Sequence, residues 1–171
     1  MSQEASLHGE PGTRLVAEVS SNHHRDLERS LAFVEEAAAC GAHAVKFQQF
    51  RIDELFAPEA LAKHRVLRDR RAWELPESFN AELAACARAH GIAFSSTPFY
   101  LDAVGVLEPH VDFFKVASYQ LLWTDLLQEV GLTGKPVVLA TGMADLGEVE
   151  RAVDALESVD CGALTSCRRS A

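Results

Sequence analysis

Short apolar runs alternate along this chain with longer stretches whose apolar residues recur every three or four positions. Residues 14–19, 43–48, 92–95, 112–117 and 137–140 are short and apolar, and each predicts a strand. After the first run, Leu27, Leu31, Val34 and Ala38 mark one face of a helix that opens at Asp26, a favourable N-cap, and stops at Gly41. Pro76 suits the first turn of a second helix, and Gly91 its stop. Further helices are expected over about 123–130 and 145–158, whereas residues 51–75 show no clear period. Repeated strand–helix units imply parallel strands joined by right-handed crossovers. Two α/β architectures meet that description, an open doubly wound sheet and a (β/α)8 barrel. No GxGxxG follows the first strand, so the dinucleotide-binding form of the open sheet has no support.

Three charges interrupt the strand runs. Glu18 breaks Leu15-Val16-Ala17-Glu18-Val19, Lys46 breaks Ala44-Val45-Lys46-Phe47-Gln48, and Lys115 breaks Phe113-Phe114-Lys115-Val116-Ala117. A charge buried in such a run is costly unless an opposite or polar group meets it. A single such lysine is more often an edge residue whose ammonium reaches water. Three, each near the C-terminal end of a different strand, point to a shared pocket, because both architectures gather ligands there. Alternation sets Lys46 and Gln48 on one face and Val45 and Phe47 on the other; in a barrel the first pair faces inward. Two cations with one carboxylate fit an anionic substrate, with phosphate the first choice.

Composition narrows this picture. The chain of 171 residues is long enough for one domain with a real core. A net charge of −9 argues against a nucleic-acid or anionic-membrane surface. The basic stretch Lys63, His64, Arg65, Arg68, Arg70 and Arg71 runs against that trend and reads as solvated surface, with recruitment of an anion the minority alternative. The cysteines form no CxxC pair and have no zinc-type spacing with histidine. Cys40 and Cys86 fall on the apolar side of Ala-rich helical segments and read as small core residues, which implies reduced thiols and a cytoplasmic setting. Residues 1–12 are polar and lack the apolar centre of a signal peptide, and no apolar run reaches membrane-spanning length.

Read in order, the strand ends are Ala17-Glu18-Val19-Ser20-Ser21-Asn22-His23, Val45-Lys46-Phe47-Gln48, Ser95-Ser96-Thr97-Pro98-Phe99, Phe114-Lys115-Val116-Ala117-Ser118 and Ala140-Thr141-Gly142-Met143. Each motif alone is weak, and Ser96-Thr97-Pro98 alone reads as an ordinary turn. Together, over about residues 15–156, the series resembles the sialic acid synthase family of phosphoenolpyruvate-dependent nonulosonate synthases. The resemblance implies a partial (β/α)8 barrel of about five βα units, and condensation of phosphoenolpyruvate with an N-acyl amino sugar. It also implies a divalent metal, manganese or magnesium, and a homo-oligomer. By the same resemblance Glu18, Lys46 and Lys115 are catalytic. The lysines hold the phosphate and carboxylate of phosphoenolpyruvate, and Glu18 serves as acid/base or orients the attacking water. Thr97, Ser118 and Thr141 add hydroxyl donors, while Gln48 and Phe99 line the acceptor side. His23 matches the family's Asn-His pair, in a capping, packing or catalytic role.

Several positions depart from the family pattern. Gln120 stands where many members carry a carboxylate, so as a substrate-binding residue it implies altered acceptor specificity. Ala140 replaces a common serine, and His24 a common asparagine or acidic residue. The family's metal-binding histidines belong to later strands and match nothing in this sequence, so no metal ligand is assigned. A barrel needs about 250 residues. Residues 162–165 could begin a sixth strand, but Ser166-Cys167-Arg168-Arg169-Ser170-Ala171 lacks apolar continuation. The expectation is a polar tail over 1–13, a partial barrel over 14–160 and an aberrant tail over 161–171, with a premature stop or frame change near Thr165. Two alternative functions stand beside the synthase: a Schiff-base lysine aldolase, since a strand lysine in an apolar pocket is also a nucleophile, and an inactive fragment with residual anion binding. The acceptor sugar is not readable.

Overall fold

The computed structural model describes residues 13–159 and 161–167; residues 1–12 of the expected N-terminal tail and 168–171 of the expected C-terminal tail lie outside them. The chain divides into two compact units, one up to Val111 and one from Asp112.

The first unit alternates β1 (Val16–Glu18), α1 (Leu27–Ala39), β2 (Ala44–Gln49), α5 (Asn80–Ala89), β3 (Ala93–Pro98) and α6 (Asp102–Leu107), with an excursion after β2 that carries α2 (Ile52–Leu55), α3 (Pro58–Lys63) and α4 (Arg65–Asp69). β1 pairs with β2, and β2 with β3, both in parallel. The register aligns Glu18 with Lys46, Lys46 with Ser95, and Gln48 with Thr97. Partners in register share a face, so Glu18, Lys46, Gln48, Ser95 and Thr97 line one side, and Val45, Phe47, Gln49, Phe94 and Ser96 the other. The second side is the core: Val45, Phe47 and Phe94 are fully buried, the two phenylalanine rings 6.0 Å apart. Helices α1 and α5 pack together, and α5 packs on β3.

Asp26 caps α1 as expected, its carboxylate accepting from the Arg29 amide at 3.0 Å. Two expectations need correction. Cys40 is exposed because it is the C-cap of α1, one residue past the packed face, and Cys86 is only half-buried. β3 is also longer than expected. It runs through Thr97 to Pro98, where the sequence suggested a turn, because pairing with β2 continues to Gln49. In the excursion, Arg68 donates to the Leu61 and Ala62 carbonyls at the end of α3, Arg71 pairs with Asp53, and Arg65 with Asp69. The basic stretch thus knits its own segment.

The second unit contains β4 (Phe113–Val116), a 3-10 turn (Ser118–Gln120), α7 (Thr124–Leu132), β5 (Val137–Ala140), α8 (Leu146–Glu157) and β6 (Leu164–Cys167). β4 pairs with β5, and β5 with β6, again in parallel. Asp145 and Glu148 form a capping box at the start of α8, at 2.8 and 3.0 Å. Leu139, Val137, Leu126 and Leu156 are fully buried between these strands and helices. β6 realises the sixth strand that residues 162–165 could begin and carries it on to Cys167, past the break expected near Thr165. Its backbone pairs along β5 from Leu164 to Cys167, and ladder bonds do not require the apolar continuation that the sequence lacks.

Candidate functional site

In the first unit the polar row lies at the C-terminal end of β1 to β3. Lys46 is only 8% exposed, and its ammonium pairs with the Glu18 carboxylate. That carboxylate is close to half open to water, and one of its oxygens also accepts from the Ser20 amide at 3.0 Å and the Gln48 amide group at 3.4 Å. Three partners therefore converge on Glu18. Beside Gln48, Thr97 is buried, and its hydroxyl has no hydrogen-bond partner among the described residues. A buried hydroxyl without a partner is costly, and its place in this row suits a ligand donor. Phe99 follows; its amide donates to the Gln49 carbonyl at 3.0 Å and its ring stands edge-on to Phe50, 6.2 Å away.

The opposite face braces this row. The buried Gln49 side chain donates to the Leu75 carbonyl at 3.0 Å and accepts from Asn80 at 3.1 Å. A cleft of about 280 Å³ opens beside it, with Arg25, Arg51, Glu74 and Glu77 among its lining residues. Its charges are paired within the wall: Arg25 with Glu74 at 3.5 Å and Arg51 with Glu77 at 2.5 Å. Tyr100 donates to Glu77 at 2.6 Å, and that bond, with Arg51, holds the Glu77 carboxyl below its ordinary pKa. His23 is fully buried against Phe47, ring centroids 6.3 Å apart. Its Nδ1 accepts from the Arg25 amide at 3.0 Å. Burial first, then the neighbouring His24 and Arg25 charges, pull its pKa below 6.5, so the ring is neutral near pH 7.

In the second unit, Lys115 is half-buried on β4, in register with Val138 of β5, which is in turn in register with Thr165 of β6. The loops after β4 and β5 meet at Ser118 and Gly142: a Cβ on that glycine would lie 3.0 Å from the Ser118 hydroxyl oxygen. Thr141 immediately follows β5. Gln120 is buried, and its side-chain oxygen accepts from the Ala117 amide at 3.0 Å, closing the turn that carries Ser118. The residues brought together are therefore Glu18, Lys46, Gln48 and Thr97 in one unit, and Ser118 with the Thr141–Gly142 loop in the other. Sequence reading did not single out Ser95, Phe50 and Gln49. Ser95 was legible as the residue two before Thr97 on the same face, whereas Gln49 gains its partners only through folding.

Residues 33–169 match the NeuB family. The chain belongs to that family. It is 40% identical over 154 residues to an uncharacterised protein of Methanocaldococcus jannaschii, covering 90% of this chain and 44% of that one. It is 33% identical over 155 residues to the N,N'-diacetyllegionaminic acid synthase of Campylobacter jejuni, covering 84% and 46%. Among solved structures, the N-acetylneuraminic acid synthetase of Leptospira borgpetersenii, crystallised with citrate, superposes with a TM-score of 0.84 at 28% identity, covering 99% of this chain and 61% of that one. The NeuB chain described here thus folds as part of a (β/α)8-type barrel, and it spans about half the length of the curated relatives it matches.

The metal expected for the family finds no ligand set among the described residues: no three His, Cys, Asp or Glu side chains gather. The chemistry of the donors agrees. The His23 Nδ1 is engaged by a backbone amide, as is that of His43 by Leu15, while His90 turns back on Cys86 of its own helix. No helix among the described residues is long and apolar enough to cross a membrane.

Proposed function

We propose that this chain supplies the phosphoenolpyruvate-binding strands of a nonulosonate synthase, which joins phosphoenolpyruvate to an N-acyl amino sugar. The observation that carries the reading is the buried Lys46 on the same polar sheet face as the buried Thr97 hydroxyl, which has no partner among the described residues, in a NeuB-family chain. A substrate anion would meet the lysine charge and the hydroxyl together, which water-filled space does less well in a low-dielectric site. In this reading Lys46 and Lys115 hold the phosphate and carboxylate and stabilise the charge that develops as phosphate departs. Thr97 in the first unit, and Ser118 and Thr141 in the second, add hydroxyl donors for anionic groups. Glu18, held by Lys46, Ser20 and Gln48, transfers the proton or directs the water that attacks the oxocarbenium-like carbon. Gln48 and Phe99 line the acceptor side. Gln120 acts on the acceptor through the turn it closes, since its oxygen is already engaged.

The names of the Campylobacter and Leptospira relatives support a nonulosonate product; in this reading the protein is a cytoplasmic homo-oligomer that uses manganese or magnesium. The test is calorimetric titration of phosphoenolpyruvate into the protein, followed by phosphate release with N-acetylmannosamine or a diamino analogue. Saturable binding lost in Lys46→Ala supports the reading, and no binding overturns it. Borohydride trapping of a keto acid on Lys46 or Lys115 would favour the Schiff-base aldolase instead.

A further inference from the structure

We propose that His23 is a positioning residue for the Glu18 carboxylate, acting through the tight loop that joins β1 to α1. The loop is built from bonds that converge on the end of β1. The Asn22 amide and side chain both donate to the Val19 carbonyl, at 3.2 and 2.9 Å, and Val19 itself donates to the Lys46 carbonyl at 3.0 Å. Arg29 donates to the Asn22 carbonyl at 2.6 Å, and the Asp26 amide to the His23 carbonyl at 3.0 Å. Within this frame Ser20, His24 and Arg25 take left-handed backbone angles, φ 55°, 51° and 57°. Such angles are unfavourable for side-chain-bearing residues and persist only where the surroundings over-determine them.

His23 is the determinant on the core side. Its ring is fully buried against Phe47, so it cannot touch a substrate on the opposite face. Its Nδ1 accepts the Arg25 amide, which places the lone pair on Nδ1 and the proton on Nε2. That bond holds the left-handed pair His24–Arg25 and, through them, the turn that aims the Ser20 amide at Glu18. Without an acceptor at Nδ1 the Arg25 amide loses its partner and the loop can relax to ordinary angles. The Ser20 amide then leaves the carboxylate. The catalytic consequence rests on the synthase reading, but the geometry does not.

The experiment follows the Ser20 amide proton by ¹H–¹⁵N spectroscopy across the Glu18 titration, in wild type, His23→Phe and His23→Asn. An amide that donates to a carboxylate shifts as that carboxylate ionises. His23→Phe keeps the ring and removes the acceptor, and it should lose most of the Ser20 titration amplitude. His23→Asn shrinks the ring but keeps an acceptor oxygen near the Nδ1 position, and it should recover the amplitude despite a lower melting temperature. A merely structural histidine gives the reverse order, with the Phe variant nearer to wild type. A wild-type Ser20 titration in His23→Phe, or none in His23→Asn, overturns the proposal. Absence of phosphoenolpyruvate binding by wild type would instead remove the synthase reading and leave this result standing.

Discussion

Replacing Lys46 by methionine should leave the fold as stable as before, or more so, while removing anion binding. The side chain is nearly as long, so packing volume is kept. What changes is a charge that is only 8% exposed. Its desolvation costs several kcal/mol, and its attraction to Glu18 returns about 4 kcal/mol at an effective dielectric near 20. The two nearly cancel, so Lys46→Met should fall between neutral and about 1 kcal/mol more stable. Glu18→Gln behaves differently, because it leaves the buried ammonium beside a neutral amide. For a fully buried pair that loss is about 3–5 kcal/mol. Glu18 is 43% exposed, and solvent screening reduces the figure to about 1–2 kcal/mol. Urea unfolding of both variants and the double variant reads these values, provided the slope m is unchanged. Calorimetry with phosphoenolpyruvate on the same samples reads binding. If Lys46→Met costs more than about 2 kcal/mol at constant m, the lysine is a structural member of the sheet and the anion-binding argument fails.

Other outcomes follow from the same geometry. Lys115→Ala should weaken phosphoenolpyruvate binding at least about tenfold, or about 1.4 kcal/mol, and Lys63→Ala should change it little; equal effects would refute an anion-holding role for Lys115. Gln49→Leu strands the Leu75 carbonyl and the Asn80 amide, so thermal melts should show a loss of about 2–4 kcal/mol. Gly162→Ala drives a Cβ to 2.5 Å from the Gly134 carbonyl oxygen, and amide exchange should show β6 opening more readily than β5. His23 binds its proton less readily folded than unfolded, so the unfolded chain holds more protons just below pH 6.5. Its contribution is therefore complete above pH 6.5 and is lost as pH falls toward the lower folded value; His23→Phe should flatten that part of the stability profile.

The parallel strand–helix alternation and the polar ends of the strands were legible because each depends on local periodicity. Lys46 was readable as a charge inside an apolar run, and its partner Glu18 as another. The excursion after β2 was not. Its short helices are held by ion pairs such as Arg71–Asp53, 18 positions apart in the sequence, and by Arg68 at the end of α3, which no apolar period announces. Only the start of β6 was legible; its continuation to Cys167 was not, because that pairing is carried by backbone bonds to β5. Helix α6 escaped because six residues give too little periodicity to distinguish it from a turn. Cys40 misled for a related reason: helical spacing placed it on the packed face, but the helix ends one residue earlier.

The even and odd positions of β2 amount to two texts written on one strand. Ala44, Lys46 and Gln48 face the polar row, while Val45, Phe47 and Gln49 face the core. Because the period is two, inserting a single residue before Ala44 would exchange the texts, sending Phe47 among the charges and Lys46 among the rings. Substitutions, in contrast, can edit one text and leave the other intact. A combinatorial library at 46 and 48, with 95 and 97 on the neighbouring strand, would sample new ligand chemistries on an unaltered core. The same number of changes at 45, 47, 94 and 96 would sample stability and leave recognition in place.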